Sequence, residues 1–456
     1  VKKNEKKIKI LSCLVLNKMS SYVAAGNNLQ YVLPFQMDAV PSSFKSNLAP
    51  RPINCVLQTT VVPSTSGNAT LGGTTTIQVP LGQSAYICNP YLRFRVTYTT
   101  DGGVTGARFK GASQSAMSLI ASYQSSINST LIDNIQNYGQ LADCILSHSS
   151  SKEWLNADGA VLMATAAVDS AVADVDNLGP AFDGVIADGN SETFCVPLLG
   201  LLSAGGQAFP AWCVSGVLSL NINWTQAVYN AINKSGGSNI TNLTFSNVNF
   251  VYDRVAVEGD FIAKMKSDMA STGAKYTYSF TNYQTVTSTG VQGTLTNNTG
   301  INVSSLRGVV AVPILTAVTA ASTGWPQPMG ITNFQLTLDG RMVNSTILDA
   351  TTAPSVVFQE LQKCFSRSFD ASVTDNTSRL QFSGAAAGTN GAKSFAVGVS
   401  TCRVAEGLAF QGSPVSVAGI QMTSSFASAN DHTIYFIFIS DYSLLIGADG
   451  MCDIVR

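Results

Sequence analysis

Short runs of alternating apolar and polar residues recur from Arg51 to the end of the chain, and they limit its fold more than any other feature. Leu92, Phe94, Val96 and Tyr98 alternate with Arg93, Arg95 and Thr97. A period of two puts each set on its own face of a strand, so this run predicts a half-buried strand with its basic residues outward. Ile53, Cys55, Leu57, Thr59 and Val61 alternate in the same way, and residues 74–79 form a largely β-branched run between Gly72-Gly73 and Pro80. Further on, Tyr276, Tyr278 and Phe280 alternate, then Phe334, Leu336 and Leu338, then Phe395, Val397 and Val399. Residues 309–315 are apolar on both faces but hold Pro313, which marks an edge or a bulge. Residues 432–439 are apolar on both faces, as a central strand is. Asp339-Gly340 and Asp449-Gly450 are hairpin turn signals. The pattern predicts an all-β chain.

Helical spacing is rare and short. Residues 135–146 carry Ile135, Tyr138, Leu141, Ala142, Ile145 and Leu146 on one face, and residues 153–167 and 226–233 offer two more short helices. Residues 116–127 fit either a helix or a strand, and the following Asn128-Ser129 and the pair Leu131-Ile132 favour a hairpin. Phe194 and Val196 open a strand, Leu198 to Leu202 an apolar helical turn, and Val217, Leu218, Leu220, Ile222 and Trp224 a returning strand. That order suggests one end of a sandwich, with the turn plugging the core through Leu198, Leu201 and Leu202. Between Phe245 and Val248 the alternation slips by one residue, which fits a bulge or a turn between two strands. Residues 260–270 then read as a helix, and Pro354 opens another whose Val357, Leu361, Cys364 and Phe365 share a face. The expected layout is an N-terminal arm or linker over 1–50, one strand-rich unit over 51–258, a connecting helix over 259–273 and a second unit over 274–456. Residues 156–192 and 366–394 are the long loops.

Composition narrows the setting. Of 456 residues only 12% are charged, against about 25% in an ordinary globular chain. A surface with few charges suits a subunit that covers itself with copies, and a secreted or cell-surface β-sandwich that binds glycans is the alternative. The net charge of −1 gives no global case for nucleic-acid binding. Nine cysteines occur without a C-x-x-C pair, which reads as free buried thiols, with two or three disulfides as the alternative, rather than zinc or redox chemistry. No run of 18 apolar residues offers a membrane helix.

A search for chemistry finds little. His148 and His432 are the only histidines, and no G-x-S-x-G, G-x-x-x-x-G-K-[ST] or G-x-G-x-x-G motif is present. Asp169, Asp174, Asp176, Asp183 and Asp188 crowd one loop, yet Leu178 and Val185 stand where a calcium loop needs oxygen ligands. No catalytic, cofactor-binding or metal-binding residue is therefore assigned, and the chain reads as a non-enzyme without cofactors. Lys2, Lys3, Lys6, Lys7 and Lys9 precede an apolar run, as in a signal peptide, but Lys18 and a poor cleavage site favour a basic arm or a dispensable leader. Such an arm could make a weak, sequence-blind phosphate contact.

Four segments carry a resemblance: PLGQSAYICNPYLRFRVTYT (80–99), STLIDNIQNYGQL (129–141), VPLLGLL with FPAWCVSGVLSLNINW (196–224), and IYFIFISDYSLLIGADGMCDIV (434–455). With two successive strand-rich halves, the chain resembles the double jelly-roll major capsid proteins of the PRD1–adenovirus lineage, such as those of virophages, polinton-like viruses and adintoviruses. The resemblance implies two tandem eight-stranded jelly-roll sandwiches. It also implies homotrimers that form pseudo-hexameric capsomers, which tile an icosahedral shell around the genome. Neighbouring capsomers, penton proteins and minor capsid proteins would be its partners, and the virion its location.

Overall fold

The computed structural model describes residues 55–105, 107–111, 113–164, 185–203, 208–234, 236–316, 326, 330–344, 346–365, 382, 394–402, 412–416, 419–427 and 431–456. The basic leader, the arm, most of the Asp-rich loop and most of both long loops lie outside the described residues.

The first half supplies eight principal strands: β1 Cys55–Pro63, β2 Thr74–Pro80, β3 Ala85–Thr100, β4 Ile120–Ile127, β5 Thr130–Gln136, β6 Ser191–Pro197, β7 Val217–Trp224 and β8 Ile240–Val257. They form two antiparallel sheets ordered β1-β8-β3-β6 and β2-β7-β4-β5. The second half supplies β9 Tyr276–Val291, β10 Thr294–Thr299, β11 Val303–Leu315, β12 Ile331–Leu338, β13 Arg341–Met342, β14 Val397–Ser400, β15 Ile420–Phe426 and β16 His432–Ile446. Their sheets are ordered β9-β16-β11-β14 and β10-β15-β12-β13. Adding eight to each strand number of the first half gives the second, so the two halves share one jelly-roll strand order. A last strand, β17 Cys452–Val455, turns back beside β16.

Alternation places the core. Leu92, Phe94, Val96 and Tyr98 of β3 and Leu218, Leu220, Ile222 and Trp224 of β7 are all buried between the first pair of sheets. Trp224 stacks on Phe245 of β8 with ring centroids 3.9 Å apart, and meets Phe94 of β3 edge-on at 5.0 Å. Its indole N–H donates to the buried Thr75 hydroxyl at 2.8 Å, so this buried ring carries no unpaired polar atom.

Turn chemistry sets the registers. Asn128-Ser129 joins β4 to β5 with φ of 48° and 72°, and Asp339-Gly340 joins β12 to β13 with φ of 47° and 76°. Both pairs have the positive φ that a two-residue hairpin needs, and they fall at matching points of the two halves. The expected slip near Phe245 is a bulge within one continuous strand, where Asn247 has φ 49°. Pro313 lies in β11 beyond the four residues that pair with β14, so its missing N–H faces a locally open edge.

Three α-helices of eleven residues or more connect strands among the described residues: α1 Tyr138–Ser149, α2 Gly259–Thr272 and α3 Pro354–Cys364; shorter helical segments lie at Lys152–Trp154, Leu155–Gly159, Ala160–Met163 and Val228–Ala231. Two expectations change. Ile135 belongs to β5, where it pairs with Tyr123, and the left-handed Asn137 separates that strand from α1. The apolar turn of residues 198–202 shrinks to a single 3₁₀ turn, Gly200–Leu202, because Gly200 at φ 85° and the extended Ser203 interrupt it on both sides. Replacing Trp224 by Ala should cost about 3–5 kcal/mol of unfolding free energy through the cavity left between the sheets, as measured by denaturant unfolding.

Candidate functional site

The residues most able to do chemistry are packed away. His148 of α1 is buried, lies parallel to Phe365 at 6.1 Å and meets Phe382 edge-on, and burial pulls its pKa down to about 4. His432 is buried at the start of β16, 4.2 Å from the Phe426 ring. Among the described residues no three His, Cys, Asp or Glu side chains are grouped to hold a metal ion. The eight described cysteines are free thiols; burial pushes those of Cys144, Cys213 and Cys364 up. Asp188, from the acidic loop, accepts the Thr100 backbone N–H at 3.0 Å. No described helix is long and apolar enough to cross a membrane.

What stands out is the seam between the halves. β5 ends its sheet, so its outer carbonyls have no strand to accept from. The second half supplies side chains instead. Arg456 donates to Leu131 O at 3.5 Å, Asn282 to Ile132 O at 3.4 Å, and Thr285 to Gln136 O at 2.7 Å. Asn137 donates back to the Thr287 hydroxyl at 3.0 Å.

At the centre of this seam is Asp133, fully buried on β5. Its carboxylate accepts from the Ser125 hydroxyl at 2.6 Å, the Leu201 N–H at 3.0 Å and the Asn282 amide at 3.0 Å. A Cβ on Gly200 would sit 2.5 Å from Asp133 Oδ1, so only glycine lets the 3₁₀ turn approach. The Tyr278 hydroxyl closes the turn from β9 by donating to Leu201 O at 3.2 Å. Leu198, Leu201 and Leu202 are buried as expected, but their turn lies between β5 and β9 and so joins two sandwiches rather than plugging one. Aromatic contacts extend the seam: Trp212 meets Tyr276 at 5.7 Å and Phe209 meets Tyr278 at 5.4 Å, both edge-on. The hairpin before β17 adds Gly450 O, which accepts from both Ser215 N and Oγ at 3.2 Å.

The matching edges elsewhere are open. β1 is the first-half counterpart of β9, and β13 the second-half counterpart of β5; each pairs on one side only. On β1, Val56 is 66%, Leu57 69% and Val61 46% exposed. On β13 and the segment after it, Met342 is 55% and Ile347 56% exposed. The alternating set of Cys55, Leu57 and Val61 thus faces out.

The Asp133 pKa rises to about 6, because burial outweighs its three donors. The folded state then holds a proton that the unfolded chain has released between pH 4 and 6, so this group's contribution to stability falls as pH rises through that window. Relative to Asp133→Asn, the wild type should lose up to about 3 kcal/mol of unfolding free energy between pH 4 and pH 7. Parallel pH curves for the two proteins would contradict this origin.

No protein-family model and no curated protein matches the sequence. Solved structures do match. The Faustovirus major capsid protein superposes with a TM-score of 0.59 at 9% identity, over 97% of this chain and 98% of that one. The mavirus major capsid protein gives 0.54 at 12% identity, over 91% and 94%. A chain of the Sputnik virophage structure gives 0.56 at 14% identity, over 89% of each. Two sandwiches with one strand order, joined edge to edge, and this likeness over nearly the whole length give the chain the double jelly-roll fold seen in viral major capsid proteins.

Proposed function

We propose that the chain is a structural major capsid protein, located in the virion, that trimerises into pseudo-hexameric capsomers and tiles an icosahedral shell around the genome. The observation that carries this reading is the pairing of edges. Inside one chain the β5 edge of the first sandwich meets β9 of the second. The counterpart edges, β13 and β1, remain open and carry exposed apolar side chains. A second copy offering β1 to β13 repeats the internal seam between chains. Such a contact is heterologous, and three copies close it into a ring of six sandwiches. Assembly then needs no chemistry, only apolar burial at roughly 25 cal/mol per Å² over an obligate interface above about 2,000 Å².

In this reading residues 51–258 and 274–456 are the two jelly rolls, 259–273 links them, and residues 1–50 form an arm whose lysines make a weak nucleic-acid contact. Neighbouring capsomers, penton proteins and minor capsid proteins are the further partners. Size exclusion with light scattering should give a trimer that persists on dilution. Leu57→Asp and Met342→Asp should each give folded monomers whose thermal midpoint falls by the stabilisation that the contacts between copies had supplied, since both side chains are exposed in the single chain. A monodisperse wild-type monomer would sink the proposal.

A further inference from the structure

A polar cleft of about 780 Å³ opens at one end of the seam. Its walls come from the start of β4, the end of β7 and the first turn of α1, and across from them the end of β11 and the start of β16. That volume holds roughly 25 waters at about 30 Å³ each, well within the size of a small-molecule site.

Two side chains in this cleft lack a hydrogen-bond partner among the described residues, the amide oxygen of Gln140 and, of greater consequence, the ammonium group of Lys110. Lys110 is 3% exposed, and its Nζ has no hydrogen-bond partner among the described residues. An ammonium group has three donors and no acceptor, and a buried one is ordinarily paired. Burial lowers its pKa to about 8, which leaves it charged at pH 7. The carboxylate on the same wall, Asp143, accepts from the Ser113 N–H and hydroxyl at 2.8 and 2.6 Å.

The second feature is the start of α1, a 12-residue helix that opens into the same cleft through Asn137, Gly139 and Gln140. No side chain caps it, and the Asn137 amide is turned to Thr287. The Gln140 and Leu141 amides already donate to Asn137 O at 3.1 Å, which leaves the Tyr138 and Gly139 amides without an acceptor within the helix, and the helix dipole places partial positive charge there. A buried cation and an uncapped helix start on one wall both call for negative charge.

We infer that this cleft binds a phosphate group, held between Lys110 Nζ and the Gly139 amide at the start of α1. Inorganic phosphate supplies that group alone, and a phosphomonoester supplies it with an organic remainder that fills the rest of the cleft. Both halves contribute walls, so the bound anion stabilises their junction by mass action.

The test uses the full chain with inorganic phosphate, and sodium chloride of equal ionic strength as control. Phosphate should raise the thermal midpoint saturably and give a binding isotherm by calorimetry. Lys110→Met should weaken binding at least tenfold. Gln140→Glu places a carboxylate at the third position of α1, which a helix start accepts well, and should also abolish the phosphate response. If Lys110→Met fails to fold, Gln140→Glu carries the test. Glycerol phosphate binding tenfold tighter than inorganic phosphate would assign the whole cleft, and equal binding the phosphate group alone. Equal midpoints in phosphate and chloride, or a full response in Gln140→Glu, would overturn the inference. The oligomeric state, read by light scattering in the same buffers, reports on the capsid proposal separately.

Discussion

A bare edge strand invites pairing with another chain, and much of this molecule follows from which of its edges are covered. β5 has a row of carbonyls with no neighbouring strand, which in an isolated sandwich would recruit any passing chain. Arg456, Asn282 and Thr285 answer that row with side-chain donors rather than with a further strand. The two sandwiches therefore stay distinct sheets, placed side by side. A continuous ladder would have fused them into one sheet, whereas here each half keeps its own pair of sheets.

Polar and aromatic parts of the seam do different work. The rings of Trp212, Tyr276, Phe209 and Tyr278 supply contact area and tolerate small shifts. Asp133 does not, because it can only accept, and its three donors come from β4, the 3₁₀ turn and β9. A shifted docking would strand a carboxylate and its donors in a dry interior, which costs more than the correct arrangement gains. The carboxylate thus contributes uniqueness of fit more than stability.

Strands buried on one face were legible in the sequence because period two survives in their residues, as in β3 and β7. The hairpins at Asn128-Ser129 and Asp339-Gly340 and the Pro354 helix start were legible because their backbones demand those residue types. Ile135 misled because an apolar residue one turn before Tyr138 fits a helix face as well as a strand end. Asp133 gave no signal: a register shift opposite Ser125-Ser126 turns both Ile132 and Asp133 inward, and only the paired strand reveals it. Lys110 was equally silent, since an isolated lysine in a loop reads as solvated. The outward face of β1 was invisible for another reason, because alternation shows that a strand has two faces and not which one a partner covers.

Helix α2, with 14 residues, tethers the two sandwiches. A tether fixes the local concentration of β9 around β5 at a high value whatever the protein concentration. In the proposed assembly, β1 of another copy would reach β13 only by diffusion, so the internal seam would close first, as part of folding, and the contact between copies would wait until finished subunits accumulate. Under that proposal the length of α2 is a timing element as well as a spacer.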